Sequence, residues 1–405
     1  MRSDPNVGIN NQQVRSINCG AVMRQLYRYK SLSKSQLSRQ VCLTIPAISK
    51  ILAQLQEQGL VIHQKNTGIQ RGNSSGTYQA TLSSHDIICM QVSPKKISAL
   101  IVDSNVNLLL ERFSIEIEPT NPEQFIECIE QVYWQCKQKA HNKPLKLALA
   151  LHGVVDIETG ASRVMPQAPW SELVEVKYIL ENRLGIDIEV DNDCVMITLA
   201  EKWINHNNYE NFCVINVDYG VGSSFVIQHE VFRGQLYGSG QIGHTVVDPD
   251  GRRCGCGRYG CLETVASTNA IISTVRARLK TDVDFFEQKT AVDIEFSDCL
   301  ERYHAGDPLV VSIVDHAARV LGLSLYNFFL TLNVNYILLY GEACKFGDVW
   351  IEKICSQAYS NPFEDSTELA RDKASIRVGA LNDTEILMGI GYAFIEQKLK
   401  TLKES

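Results

Sequence analysis

His244, Cys254, Cys256 and Cys261 fall within eighteen consecutive residues of this 405-residue chain, in the segment GQIGHTVVDPDGRRCGCGRYGCLE. One imidazole and three thiolates complete a tetrahedral set, and soft ligands in a reducing compartment favour zinc. Glycines at 251, 255, 257 and 260 allow the tight turns that converge ligands only two and five residues apart. Four protein ligands leave no open position for water, so the spacing predicts a structural zinc and not a catalytic one. The alternative is a set of stray structural or redox-active cysteines, and the glycine spacing argues against it. The other ten of the thirteen cysteines lie singly in apolar runs such as DIICM and NFCVI. That is the pattern of reduced core thiols in the cytoplasm and not of a disulfide framework.

Charge divides the chain. Residues 1–80 hold ten Lys and Arg against two acids, a balance of +8, whereas the remainder carries −15. A basic module joined to an acidic one points to a polyanion partner for the first alone. The start, MRSDPNVGINNQQ, has no apolar core behind its arginine, and no stretch reads as the roughly 18 apolar residues of a membrane span. The expectation is a cytoplasmic protein without membrane insertion. Its length suits two or three domains.

Within residues 1–80 the periodicity predicts three helices and a wing. Ala21, Val22, Gln25, Leu26 and Tyr29 have helical spacing over about 17–29. Ser33 and Gln36 form a capping box ahead of Leu37 and Val41. A third helix opens at Thr44, accommodates Pro46 in its first turn, buries Ile45, Ile48, Leu52 and Leu55, and ends at Gly59. QKNTGIQRGNSSGTY then reads as a wing between two short strands. The outward residues of the third helix, Ala47, Ser49, Lys50, Ala53 and Gln54, are small and polar, as a helix in a major groove requires. Arg24, Arg28, Lys30, Lys34 and Arg39 suit phosphate contacts, and Arg71 suits a minor groove. A protein-binding helical subdomain is the competing reading, but it would expose more apolar or acidic side chains. The expected DNA-contacting set is Arg39, Thr44, Ala47, Ser49, Lys50, Gln54 and Arg71.

From residue 81 strands and helices alternate, which argues an α/β architecture whose three adjacent leading strands make a mixed sheet. No internal repeat is visible. Helices are expected near 122–140, 193–205, 267–279, 308–331, 346–359 and 383–398.

The cysteine segment resembles the ROK family, which groups bacterial repressors with sugar kinases. The motif G-x-I-G-H followed by C-x-C-G-x-x-G-C-L-E runs from Gly240 to Glu263, and Asn192-Asp193, Ala200-Glu201 and Gly220-x-Gly222 are further landmarks. The resemblance implies a winged helix-turn-helix at 1–80, followed by an actin-like, ribonuclease-H-type domain at 81–405. Its two lobes would be about 81–190 and 191–405, with the last helix either staying in its own lobe or returning to the first and bracing the DNA-binding module. It also implies a sugar or sugar-phosphate site at Asn192, Asp193, Gln241, His244 and Glu263, with Asp193 in the place of a kinase base. Asp193 also suits a helix N-cap.

The chain departs from the family pattern on both the ATP side and the sugar side. Where its kinases carry D-x-G-G-T, this chain reads Gln91-Val92-Ser93-Pro94-Lys95-Lys96, without a glycine to bring backbone up to a phosphate. Gly341-Glu342-Ala343 replaces a glycine pair or triplet. On the sugar side Gln241 replaces a glutamate, His152-Gly153 a Pro-Gly turn, and Gln167 an asparagine. The expectation is a non-enzymatic, homodimeric or homotetrameric repressor of carbohydrate genes that binds a double-stranded operator and is controlled by a sugar. The rivals are an active sugar kinase and a regulator controlled by a partner protein.

Overall fold

Two reciprocal caps set the first helices of the computed structural model, which describes residues 10–64, 76–83, 85–140, 143–205, 209–234, 239–279, 294–334, 336–358 and 375–404. Asn10 Oδ1 accepts from Gln13 N at 2.8 Å while Gln13 Oε1 accepts from Asn10 N at 2.9 Å. Helix α1 therefore runs Asn11–Tyr29, starting six residues before the first expected apolar position. Ser33 and Gln36 make the same exchange ahead of α2, Lys34–Gln40. Thr44 Oγ1 accepts from Ala47 N and opens α3, Ile45–Glu57. The stripe of α3 is Ile48, Ile51, Leu52 and Leu55, all buried. Ile45, expected in that core, stands at the first helical position beyond the stripe and is 51% exposed. Strands β1, Val61–Gln64, and β2, Thr77–Ala80, pair antiparallel, and Leu32 bridges to Tyr78 on the far side of β2. This is a winged helix; Arg71 and the wing tip lie outside the described residues.

A mixed sheet follows. Its strands are β3, Asp86–Val92, β4, Lys96–Asp103, and β5, Leu108–Glu116. After α4, Pro122–Lys139, come β6, Leu145–Leu151, and the small hairpin of β7, Val154–Asp156, with β8, Ala161–Val164. Then α5, Val176–Leu184, leads to β9, Ile188–Asn192, and α6, Asp193–Trp203. The sheet order is β5-β4-β3-β6-β9, antiparallel on the β4 side and parallel on the β6 side. Strands β3 and β6 are central and covered on both faces, so they read as nearly unbroken apolar runs.

The second sheet repeats this plan. Its strands are β10, Phe212–Val217, β11, Val221–Ile227, and β12, Glu230–Phe232. Helices α7, Glu263–Ala266, α8, Thr268–Leu279, α9, Phe296–His304, and α10, Pro308–Leu332, precede β13, Tyr336–Tyr340. Helix α11, Asp348–Ala358, and β14, Ser375–Val378, complete it in the order β12-β11-β10-β13-β14. Both sheets are thus a three-strand meander extended by two parallel strands, a duplication with no visible trace in the sequence. Among the described residues α10 alone is long and apolar enough to cross a membrane. Val310, Val314, Ala318, Leu321 and Leu325 build it into the second core, which explains that composition.

The chain closes with α12, Asp383–Met388, and α13, Tyr392–Glu404. Contacts divide it into two compact units, Met1–Asn207 with Asn382–Ser405, and Asn208–Leu381. The expected cut at 190/191 falls inside the first unit, because β9 runs straight into α6 and α6 packs on α12. Gly389 makes this approach possible, since a Cβ there would come within 2.1 Å of Met196 O. Helix α13 packs on α1, and Trp203 of α6 stacks on Tyr392 and donates to Glu396 Oε1 at 2.8 Å. The final helix therefore lies in the first unit, against α1 of the winged helix.

Candidate functional site

The His244 and cysteine side chains converge. Their ligand atoms all lie within 4.8 Å of one another, with Cys254 Sγ 3.5 Å from His244 Nδ1 and Cys256 Sγ 3.6 Å from Cys261 Sγ. The loop is closed by local pairing: Val246 bridges Cys261, Arg253 bridges Tyr259, and Cys254 N donates to Arg258 O at 2.7 Å. Gly260 is required here, having φ +66° and standing where a Cβ would lie 1.4 Å from Asp248 O. Gly255 faces open space, so that glycine is not needed for convergence. Burial pushes the Cys254 thiol up to about 12, whereas the Arg258 N–H pulls the Cys256 thiol down. Cys254 and Cys261 are buried and Cys256 is exposed. The donor set, spacing and preorganised loop fit a tetrahedral metal ion.

Glu263 is tied to this cluster. Cys254 Sγ donates to its Oε1 at 3.6 Å, and its Oε2 accepts from Val221 N at 3.3 Å. His244 turns Nδ1 toward the thiols, which leaves Nε2 as its second polar atom. Gln241 is exposed at the entrance to the 3-10 turn Ile242–His244. These three residues belong to the second unit, and Asn192 and Asp193 to the first.

In the first unit, the cap of α6 is Asn192 and not Asp193: its Oδ1 accepts from Val195 N at 2.9 Å. Asp193 is the first helical residue, with its carboxylate turned to His152, whose Nδ1 lies 2.9 Å from Oδ2. His152 is held beside the end of β3 by its own N–H, which donates to Val92 O at 2.9 Å. In the sequence His152 registers only as a substitution in a turn. Its contact with a residue 41 positions away has no local signal. The neighbouring turn is closed by Ser93, whose N–H donates to Lys96 O at 2.9 Å and whose Oγ accepts from Lys96 N at 3.1 Å.

On the winged helix, Lys50 and Arg39 are exposed, Ala47 and Ser49 are half-buried, and Thr44 spends its hydroxyl on the cap. Gln54 is turned inward, with Cys19 Sγ of α1 donating to its Oε1 at 3.9 Å. Lys30, expected on a phosphate, is exposed and donates to Asn105 O at 2.5 Å.

These features have counterparts in known proteins. The ROK family profile matches residues 87–389, and the MarR family profile matches residues 17–71. The Escherichia coli protein YphH is 42% identical over 394 residues, covering 97% of this chain and 99% of that one. The N-acetylglucosamine repressor of Shigella flexneri is 27% identical over 356 residues, 84% of each chain. A crystal structure of a ROK family transcriptional regulator, a homologue of the E. coli MLC protein, superposes with a TM-score of 0.74 at 23% identity, covering 97% of this chain and all of that one. The chain belongs to the ROK family and is one of its transcriptional regulators, with a MarR-type winged helix-turn-helix ahead of the sugar-kinase-like fold.

Proposed function

We propose that the protein represses genes of carbohydrate uptake or catabolism by binding a palindromic operator as a dimer or tetramer, and that a sugar or sugar phosphate held by the ROK domain releases it. One observation carries the reading: a basic winged helix is joined, through α1 and α13, to a ROK lobe whose first hairpin turn has no phosphate cradle. Ser93 and Pro94 stand where a phosphate-binding turn needs glycines, and proline has no N–H to offer. Phosphoryl transfer is therefore not part of the function. The likeness to the N-acetylglucosamine repressor of Shigella flexneri supports a carbohydrate effector.

The ligand residues are Asn192, Asp193, Gln241, His244 and Glu263. The metal is zinc, held by His244, Cys254, Cys256 and Cys261 in a closed set that shapes the loop presenting His244 and Glu263. Arg39, Ala47, Ser49 and Lys50 contact DNA, together with Arg71 of the wing. Near-complete release requires the effector to favour one state by about 5 kcal/mol. The test is genome-wide footprinting of the purified protein, repeated with sugars matching the nearest operon. Protection of a palindrome that one sugar relieves is the expected result, and absence of specific protection would reject it.

A second reading is favoured by His152. A histidine on the Asp193 carboxylate competes with sugar hydroxyls for that oxygen, so control by a partner protein is the rival. Operator protection that no sugar relieves would select it.

A further inference from the structure

The first unit carries a half-open cavity of about 290 Å3 where three elements meet: α1 of the winged helix, the start of the β3/β6 sheet, and α13. Tyr27 comes from α1, His85 from the residue before β3, Lys146 from β6, and Phe394 and Lys398 from α13. Tyr27 is buried, and Lys398 is half-buried with its Nζ 5.8 Å from the Tyr27 ring centroid. Lys146 Nζ lies 5.1 Å from the Phe394 ring centroid.

The charges do not balance. Lys146 pairs with Asp187 at 2.8 Å, and nearby Asp86 pairs with Lys143 at 3.4 Å. Among the described residues Lys398 has no carboxylate partner. Burial, and then Lys146, pull its ammonium below the usual lysine range. Burial pulls the His85 imidazole down as well, with both lysines adding to the effect against the weaker pull of Asp187 and Asp86. Two ammonium groups and an imidazole held together in a half-dry pocket raise the free energy of the empty protein, and an anion would lower it.

We propose that this cavity binds a small phosphate monoester, its oxygens paired with Lys398 and Lys146 and hydrogen-bonded to His85, its carbon body lying on Tyr27 and Phe394. Two amines and an imidazole supply several donors, which suits an oxyanion with three terminal oxygens. The volume lies just below the usual range of small-molecule sites, about 300–1,000 Å3, which fits a compact ester better than a nucleotide. The occupant would touch α1 and the ROK lobe together, and so bias the angle at which the winged helix is held. That consequence rests on the DNA-binding reading, whereas binding itself does not.

The test is calorimetry on the full-length protein without DNA, in phosphate-free buffer, with inorganic phosphate and glycerol 3-phosphate as probes. Saturable binding of the ester, tighter than that of phosphate, is expected. Lys398→Gln should weaken it by about tenfold or more. Lys398→Arg should keep it within about threefold, which separates loss of charge from loss of fold. Gln241→Ala, in the other unit, should leave it unchanged. His85→Gln provides a second variant if Lys398→Gln is poorly folded, and it should weaken binding too. No heat with either probe, equal affinity for phosphate and ester, or unchanged affinity in a folded Lys398→Gln protein would each overturn the proposal. Failure to find operator protection would leave these calorimetric outcomes untouched.

Discussion

His152 Nδ1 lies 2.9 Å from Asp193 Oδ2, so the carboxylate proposed as an effector ligand already has a partner from another loop. A hydrogen bond to a charged group contributes about 1.5–3 kcal/mol. Asp193→Asn should therefore weaken an effector sugar by about ten- to a hundredfold, read by calorimetry. His152→Ala frees the oxygen without rebuilding the turn at Ser93 and Pro94, and is expected to yield no ADP from ATP and hexoses. Sustained ADP release in that variant would count against a purely regulatory role.

Removing a metal ligand should cost more when the thiol is buried. Cys261 is fully buried whereas Cys256 is exposed. Cys261→Ser is expected to lose metal and several degrees of Tm, at about 2–4 °C per kcal/mol for a unit of this size. Cys256→Ser should lose metal with a smaller fall. Gly260→Ala should behave like a ligand variant although it touches no metal, because its Cβ meets Asp248 O. Full metal content in Gly260→Ala, measured by elemental analysis, would sever loop geometry from metal binding.

Lys50 of α3 and Arg39 of α2 are exposed cations and should carry DNA affinity. Each alanine substitution should reduce the slope of log K against log salt by about one if the contact is to phosphate. Gln54→Ala, with its side chain turned to Cys19, should bind the operator like the wild type. Fluorescence anisotropy across a salt series distinguishes these, and a large loss in Gln54→Ala would mean that the side chain swings outward on DNA.

The Lys146 ammonium beside Asp187 holds its carboxyl below the usual range. A depressed carboxylate stabilises the fold above its unfolded pKa, about 3.9, and the contribution is lost as pH falls through the folded value. Asp187 is largely exposed, so the effect should be below about 1 kcal/mol. Asp187→Asn is expected to lose this small contribution at neutral pH and to match the wild type below the folded pKa, which flattens the acid side of the stability curve slightly. Chemical denaturation between pH 2 and 7 reads both; a larger loss at neutral pH would assign Asp187 a packing role.

The sequence by itself determined the features built from neighbours. The Ser33 box, the Thr44 cap and the convergence of His244 with three cysteines all depend on partners within eighteen residues, where spacing and turn residues dictate geometry. The apolar runs of β3 and β6 were likewise legible, because a doubly covered strand tolerates nothing else. Helices α5 and α9 escaped: at nine residues each they are too short for a firm periodic signal, and neither opens with the Ser/Thr cap that marked the even shorter α2. Tertiary structure alone decided the contact of His152 with Asp193, the return of α13 to α1, and the turning inward of Gln54. Each depends on which surfaces meet after collapse, and long-range packing overrides local pattern because burial outweighs the small propensities that a sequence displays.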